Sequence, residues 1–414
     1  MDWDHLAEEY NDKLFAGWLQ LISVQSPALP SRLAAQHRRG IAWVADVLGF
    51  TTGAYNICCI FTFENGFRAL VRFPFLGRSR FRTEKSRNEA LAMKLLSQNT
   101  ALPVPRIPGM GRWGCGPYST IQSSSLHPNV SDSDIQSAYR VMAQVILELS
   151  KPTFSAIGAL AEGSRAWKVD QSPLILNMNE LRTFTTAGGY FEELARQQLL
   201  HLQYQRNDAV EDEQDCRKRY IARCLFRKIA RGYKREQSGP FQLYCDDLRP
   251  SNILVAGQNL TLTGVIDWEF TYVAPAEFAL TAPWWLLFEL ECIFLARYTP
   301  RLHLFLNALR LCEDEQIHKG AIKEYQRLSG RMSESMENGL FWFCLAARKS
   351  FMFDDIYWQL LDKRYFGQGF LEDRLSLLSE EELDELEMFV SSKMEQTREN
   401  RLDEHISIDK LIDL

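Results

Sequence analysis

The stretch Leu243-Tyr-Cys-Asp-Asp-Leu-Arg-Pro-Ser-Asn-Ile-Leu-Val255 is followed, after the turn-forming run Ala256-Gly-Gln-Asn259, by Leu260-Thr-Leu-Thr-Gly-Val-Ile-Asp-Trp-Glu-Phe270. The first stretch ends, and the second begins, in a short run of β-forming residues, so the pattern predicts a β-hairpin. In this hairpin Asn252 would enter one strand and Asp267 would leave the other. Both side chains would then lie at its open end.

Asn252 and Asp267 offer oxygen ligands of the kind that suit Mg²⁺ held by few protein groups together with phosphate oxygens. Asp247 precedes them in a loop that Pro250 keeps out of a helical conformation. A carboxylate at that position can orient or deprotonate a substrate hydroxyl. A base, a metal-binding Asn and a metal-binding Asp together indicate phosphoryl transfer.

These residues carry a resemblance to the aminoglycoside phosphotransferase and choline kinase families, which are related to protein kinases. The family pattern, His-Gly-Asp-Leu-His-Pro-Gly-Asn-Ile-Leu followed by Ile-Asp-Trp-Glu, reads here as Cys245-Asp-Asp-Leu-Arg-Pro-Ser-Asn-Ile-Leu254 and Ile266-Asp-Trp-Glu269. The sequence of these segments is most similar to that of a fungal branch of phosphotransferase-like proteins. Matches include every position that carries chemistry, and the departures are Cys245, Asp246, Arg249 and Ser251.

The resemblance implies an α+β, bilobal, protein-kinase-like fold with a small β-rich N-lobe and a large, mainly helical C-lobe. The expected division is an N-terminal helical extension (1–48), an N-lobe (49–123), a C-lobe with the catalytic hairpin (124–380), and a C-terminal helix and tail (381–414). The period-two hydrophobic pattern that starts at Gly49, with Glu64-Asn-Gly66 as a turn signal, supports a β-rich N-lobe.

The resemblance also implies a nucleotide site in the N-lobe. Gly53 falls where a glycine turn covers the phosphates, Leu70 where an apolar side chain touches the base, and Arg72 replaces the family's phosphate-binding Lys. Glu89 falls where a helix Glu pairs with that cation. The backbone around Gln122, in a Ser-rich segment, would bind the base.

Several of these assignments have a local alternative. Arg72 can be an ordinary strand-surface charge, and Ser86-Arg-Asn-Glu89 fits a capping box that would explain Glu89 by itself. Trp284 and Trp285 can line a substrate cleft or fill the C-lobe core, and the core is favoured. Asp246 and Arg249 can touch substrate or stabilise the loop.

Composition limits the other classes of function. A hydrophobic fraction of 46% and a charged fraction of 24% are those of a soluble globular protein, and the net charge of −6 gives no electrostatic support for a nucleic-acid partner. No apolar run is long enough for a membrane span. Nine cysteines without Cys-x-x-Cys spacing, together with an acidic N-terminal stretch, predict reduced thiols in a cytoplasmic protein.

The sequence therefore predicts a small-molecule kinase that uses Mg²⁺ and ATP (or GTP) to phosphorylate a hydroxyl group. Asp247 is the expected base, and Asn252 and Asp267 are the expected metal ligands. The alternative is a kinase-fold binding or scaffold protein without catalysis, which Arg72, Cys245 and the Ser-rich hinge segment would favour. A hydrolase that uses Cys245 as nucleophile is disfavoured, because no nucleophile-elbow pattern surrounds the thiol. The substrate and the oligomeric state do not follow from the sequence.

Overall fold

The computed structural model describes residues 3–25, 28–36, 44–52, 56–76, 82–105, 109–110, 114–116, 131–163, 167–173, 182–206, 209–233, 240–257, 259–286 and 294–399. Within these ranges the helices are α1 (Trp3–Gln20), α2 (Leu29–Gln36), α3 (Arg82–Asn99), α4 (Asp132–Leu149), α5 (Ala187–Tyr204), α6 (Glu213–Gly232), α7 (Ala276–Leu280), α8 (Phe294–His318), α9 (Ser329–Glu337), α10 (Leu340–Arg348), α11 (Phe353–Ile356), α12 (Asp362–Phe366), α13 (Leu371–Leu375) and α14 (Glu380–Arg398).

The strands are β1 (Val44–Thr52), β2 (Asn56–Phe63), β3 (Arg68–Pro74), β4 (Gly109–Met110), β5 (Gly114–Gly116), β6 (Thr153–Phe154), β7 (Ala159–Glu162), β8 (Trp167–Gln171), β9 (Phe241–Cys245), β10 (Ile253–Ala256), β11 (Thr261–Val265) and β12 (Thr271–Ala274). In the described part of the chain they form an antiparallel sheet in the order β1-β2-β3-β5-β4, a sheet in the order β12-β9-β6, and the pairs β10-β11 and β7-β8.

The larger sheet belongs to the N-terminal part of the chain and contains the predicted hairpin. β2 and β3 pair around a turn in which Gly66 has a φ of 77°, a left-handed conformation that glycine adopts at little cost. The backbone N–H of Phe63 donates to the carbonyl of Phe67 at 2.8 Å and closes the turn. β1 begins at Val44, before the predicted boundary at Gly49, and two register shifts against β2 break its alternating pattern.

One face of this sheet is covered by the N-terminal helices. Ile57, Phe61, Val71 and Phe73 point to that face and pack into one apolar cluster with Ile22, which is completely buried. Because residues two apart in a strand share a face, Leu70 and Arg72 point to the opposite side. The sheet therefore separates an apolar outer layer from the face that carries the predicted nucleotide-binding side chains.

Helical spacing predicts an apolar stripe on the N-terminal helix, formed by Tyr10, Leu14, Trp18 and Leu21. The prediction is wrong in part: Trp18 packs on the sheet, but the side chains of Tyr10 and Leu21 are 63% and 40% exposed. The packed face consists of Phe15, Trp18 and Leu19. The spacing of these three residues and Ile22 is i, i+3, i+4 and i+7, which is the spacing of one helix face.

The larger core lies in the C-terminal part and is built mainly from helices. It joins residues of α3, α4, α5, α6, α8 and α10 to the small sheet β12-β9-β6. β9 leads at Cys245 into the loop of the candidate site, so this core supports that loop. None of the described helices is long and apolar enough to cross a membrane.

We expect Ile22→Ala to destabilise the protein by about 2–5 kcal/mol, because it removes a fully buried side chain between the N-terminal helices and the sheet. Urea unfolding followed by fluorescence measures the effect. Val24→Ala, at a neighbouring position that is 68% exposed, is the control and should change stability by less than about 0.5 kcal/mol. Equal midpoints for both variants would show that the segment 21–25, directly after α1, does not pack on the sheet as described.

Candidate active site

The hairpin β10-β11 brings Asn252 and Asp267 together, as the sequence predicts. Ile253 pairs with Val265 in the antiparallel register, and the N–H of Ile266 donates to the carbonyl oxygen of Asn252 at 3.0 Å. Asn252 ends the short 3₁₀ turn Pro250–Asn252 that leads into β10, and Asp267 follows β11 closely. The two side chains are therefore anchored at the same end of the hairpin.

The orientation of the Asn252 side chain is fixed by its own hydrogen bond. Its Nδ2 donates to the backbone carbonyl of Asp247 at 2.8 Å, and the residue is buried. Since the amide nitrogen is used in this way, the carbonyl oxygen is the atom of the side chain that remains to accept or to ligate. The same bond ties the loop that carries Asp247 to the hairpin.

Asp267 adopts an unusual backbone conformation. Its φ of 63° lies in the left-handed region, which asparagine and aspartate tolerate better than other residues with a Cβ atom. The next residue, Trp268, is completely buried, and its indole N–H donates to the carbonyl of Val265 at 2.9 Å. The buried indole thus holds a strained turn that leaves the Asp267 side chain partly exposed. Strain of this kind is common at functional sites.

Asp247 is partly buried and lies near one positive charge, Arg249, and one negative charge, Asp267. Burial raises the pKa of this carboxyl, the nearby Arg249 lowers it, and the Asp267 charge raises it, with a net shift upward. Arg249 Nε lies 3.4 Å from Asp247 Oδ1, but its side chain is 49% exposed. A carboxylate with a raised pKa is a better proton acceptor than an ordinary aspartate, provided that it is ionised.

Arg72 connects the sheet to these acidic residues. Its guanidinium forms an ion pair with the Glu89 carboxylate, which is 2% exposed, and Arg72 Nη1 lies 4.0 Å from Asp267 Oδ1. The competing capping-box interpretation of Glu89 is wrong, because α3 begins at Arg82 and Ser86 lies inside the helix. Arg72 is thus held by α3 and directed toward the hairpin.

The remaining predicted nucleotide-binding residues divide into two groups. Leu70 lies on β3, is buried, and pairs with Gly116 of β5 on the same sheet face as Arg72. Gly53 and Gln122 lie outside the described residues. Their proposed contacts with phosphate and base stay predictions.

A second ion pair between α3 and the hairpin was not found from the sequence. Lys85 Nζ lies 3.0 Å from Glu269 Oε1, and both side chains are almost completely buried. Burial raises the pKa of Glu269, as does the Asp267 charge, whereas Lys85 opposes the shift. This contact fixes the segment after Asp267 from the side of α3. In the sequence, only the position of Glu269 within the family motif indicated such a role.

Asp246, the residue before the candidate base, is an anchor of the loop. The Nε and Nη2 atoms of Arg348 donate to Asp246 Oδ1 at 3.0 and 2.6 Å, and the Tyr272 hydroxyl donates to Oδ2 at 3.0 Å. The guanidinium also lies 4.6 Å from the ring centroid of Tyr244 and 4.9 Å from that of Phe278. Burial alone would lower the pKa of Arg348, but the charge and hydrogen bond of Asp246, together with Tyr244 and Tyr272, outweigh burial and raise that pKa. Of the two roles left open for Asp246, the structure thus assigns loop stabilisation.

Cys245 is a buried filler at the end of β9. Burial raises the pKa of its thiol to about 12, so the group is protonated at neutral pH. The thiolate is the reactive form of cysteine, and a thiol with such a pKa is a poor nucleophile. The chemistry of a cysteine hydrolase is therefore disfavoured here.

The donor set of Asn252 and Asp267 fits a hard divalent cation that takes most of its ligands from phosphate and water. Among the described residues, no group of three or more His, Cys, Asp or Glu side chains is placed to hold a metal by itself. The Asn252 carbonyl oxygen and the partly exposed Asp267 carboxylate are two oxygen donors at one hairpin end. These two residues would hold such an ion.

The sequence model of a phosphotransferase enzyme family (APH) matches residues 59–303, more than half of the chain. Clavilactone A biosynthesis cluster protein Y of Ampulloclitocybe clavipes is 28% identical over 228 residues, which cover 50% of this chain and 55% of that protein. The chain thus spans about half the length of this curated relative.

Solved structures of similar shape include three enzymes at low identity. A putative aminoglycoside phosphotransferase from Ralstonia eutropha is 12% identical, with a TM-score of 0.45 and coverage of 85% of this chain and 98% of that one. A macrolide 2′-phosphotransferase from Brachybacterium faecium is 16% identical (TM-score 0.42, coverage 83% and 99%). An ethanolamine kinase from Plasmodium vivax is 12% identical (TM-score 0.41, coverage 90% and 96%). The family assignment rests on the sequence model, and that assignment and the two-part α+β architecture confirm the predicted fold class.

Substitution of the two adjacent aspartates separates anchoring from chemistry. We expect Asp246→Asn to cost about 3–5 kcal/mol of stability, because it leaves the buried Arg348 charge without its partner. We expect Asp247→Asn to be neutral or stabilising at neutral pH. The pKa of Asp247 is raised in the folded state, so the stability that its protonated form provides is lost as the pH rises and the carboxyl ionises. An amide cannot ionise, so the variant avoids this loss of stability at neutral pH.

Chemical denaturation at pH 7 and at a pH below 4 measures both effects. The advantage of Asp247→Asn should shrink in acid, where the wild-type carboxyl is protonated. Equal destabilisation by the two variants would contradict the division of roles.

Proposed function

The chain belongs to the phosphotransferase enzyme family, and from this premise we propose that it transfers the γ-phosphoryl group of ATP (or GTP) to a hydroxyl group of a small molecule, with Mg²⁺. The observation that carries the proposal is the convergence of Asn252 and Asp267 at one hairpin end, with Asp247 tied to Asn252 and Arg72 beside Asp267. Four polar side chains from separate parts of the chain meet there. Stability of the fold alone does not require such a meeting.

Each side chain has a defined task in this proposal. Arg72, positioned by Glu89, binds the phosphates of the donor, and a guanidinium does so with a planar fork of donors. Leu70 lies beside the base of the nucleotide. Asn252 and Asp267 would hold Mg²⁺, which offsets the charge that builds up on the transferred group and the leaving oxygen.

Asp247 acts on the acceptor. Its carboxylate accepts a hydrogen bond from the hydroxyl and aligns the oxygen with the γ-phosphorus. As the new O–P bond forms, the bond between the γ-phosphorus and the bridging oxygen breaks, and its electron pair leaves with the nucleoside diphosphate. The hydroxyl proton passes to Asp247 and then to solvent.

A scaffold without catalysis is the second candidate, and one contact favours it. Arg72 lies close to Asp267 as well as to Glu89, so it neutralises part of the charge that would attract a metal ion. A scaffold role requires that Arg72 keep this position when nucleotide and Mg²⁺ are offered. The two candidates therefore differ in what happens on addition of Mg-ATP.

Nucleotide binding is the first measurement that separates them. We expect Mg-ATP to raise the melting temperature of the full chain more than ATP or Mg²⁺ alone, because a ligand that binds the native state stabilises it. Arg72→Met should weaken binding of ATP by about tenfold or more, since a charge-assisted phosphate contact is lost. Arg68→Met, on the same strand near the turn, is the matched control and should bind as the wild type does.

Turnover is the second measurement. Asp247→Asn, tested with a panel of hydroxylated metabolites and Mg-ATP, should lower the rate of phosphorylated product formation by about 10²–10⁴-fold while nucleotide binding is retained. Equal turnover by the variant and the wild type would remove Asp247 from the mechanism. No stabilisation by nucleotide in any condition would contradict the enzyme and leave the scaffold.

A further inference from the structure

A small apolar cavity adjoins the loop that carries Asp247. Its volume is about 50 Å³, and its walls come from the end of α4, from β9 and from the segment 278–285. Leu248, the residue after the candidate base, lines it, as does Cys245 before it. A single water needs roughly 10–15 Å³ of such volume, so a small ring or a short alkyl group fits this cavity better than a lone water.

Two tryptophans at this cavity have different environments. Trp285 is buried, and its ring lies 5.9 Å from that of Tyr139 and 5.5 Å from that of Phe305, so it belongs to the core as predicted. Trp284 is only half-buried, and Lys349 Nζ lies 4.6 Å from its ring centroid. An indole face that lines a cavity and contacts an ammonium group places an apolar surface beside a positive charge.

The ammonium group of Lys349 is unusual in its surroundings. It is half-buried, and among the described residues no carboxylate lies within ion-pair distance of it. Burial lowers the pKa of Lys349, and the negative charges of Asp246 and Asp247 oppose that shift. The preceding residue, Arg348, is already paired with Asp246. A half-buried cation that has no carboxylate within ion-pair distance is costly to desolvate, and a bound anion would reduce that cost.

The charges around Asp247 on this side are therefore mainly positive. Arg249 Nε lies 3.4 Å from Asp247 Oδ1 and Lys349 adds a second positive charge, whereas Asp267 adds a negative one and Asp246 is neutralised by Arg348. A polycationic acceptor would meet repulsion here. An acceptor with a negative group would satisfy Lys349, and Arg249 is exposed enough to reorient toward it.

We propose that the acceptor is a small hydroxylated molecule with an apolar, aromatic body and an anionic group, such as a carboxylate. The body occupies the cavity against Trp284 and Leu248, the anionic group pairs with Lys349 and Arg249, and the hydroxyl lies at Asp247. This inference rests on the proposed phosphoryl transfer and specifies its acceptor class.

A pair of probes with the same body and opposite charge tests the inference. Binding of 4-(hydroxymethyl)benzoate and of 4-(hydroxymethyl)benzylamine to the full chain with Mg-ADP is measured by calorimetry. We expect the carboxylate to bind about tenfold tighter than the amine or more, since hydrogen bonds to charged groups are the stronger ones. Lys349→Met should remove most of this preference, Lys349→Arg should keep it, and Lys319→Met, at an exposed position after α8, should leave it unchanged.

The apolar part of the site is tested separately by Trp284→Phe. This variant keeps an aromatic ring beside Lys349 but shortens the cavity wall, so it should weaken both probes by a similar factor and leave their ratio unchanged. Thermal melts of all variants show that they are folded before binding is compared.

Three results would overturn the inference. The amine binds as tightly as the carboxylate, or Lys349→Met keeps the full preference, or neither probe binds while Mg-ATP still stabilises the protein. In each case the acceptor class is wrong and the phosphoryl transfer itself is untouched. Loss of stabilisation by Mg-ATP in the wild type would instead contradict the proposed function.

Discussion

The register of one hairpin determines whether this chain has a site at all. Ile253 opposite Val265, with the bond from Ile266 N–H to the Asn252 carbonyl, places Asn252 and Asp267 at the same end. Because strand side chains alternate between faces, a slip of one residue would turn one partner of each pair away. Gly264 and the fully buried Trp268 pack directly beside this end and oppose such a slip, since a Cβ added at Gly264 would lie 3.1 Å from the Leu254 side chain.

Buried charge pairs attach that hairpin to the rest of the molecule from two sides. Glu269 pairs with Lys85 of α3, and Asp246 pairs with Arg348 at the end of α10. Such pairs add little net stability compared with apolar packing, but breaking one partner is costly. These pairs therefore fix the position of the hairpin and its loop, because any other placement would leave a buried charge unpaired. The candidate base, Asp247, directly follows one of these anchors in the chain.

The sequence predicted what local patterns encode and missed what depends on distant partners. The hairpins at 56–74 and 253–265 follow from turn signals and from the alternating pattern of hydrophobic residues. The meeting of Asn252, Asp267 and Asp247 followed from the hairpin and the family pattern. Arg348 could not be assigned to Asp246, because no spacing rule connects residues so far apart in the chain. The exposed Tyr10 shows that an apolar stripe can be shifted by a few residues when the actual partner surface is unknown.

We propose that Asn252 and Asp267 hold one divalent ion when nucleotide is bound. Fe²⁺ in place of Mg²⁺, with ADP and ascorbate, generates hydroxyl radicals that cut the backbone close to the bound metal, and mass spectrometry locates the cuts. We expect nucleotide-dependent cleavage in two separate segments, around 247–252 and around 265–269. Asp267→Asn should abolish this cleavage, because the carboxylate ligand is lost while asparagine still tolerates the left-handed backbone at this position. Cleavage elsewhere, or in only one of the two segments, would contradict this proposal.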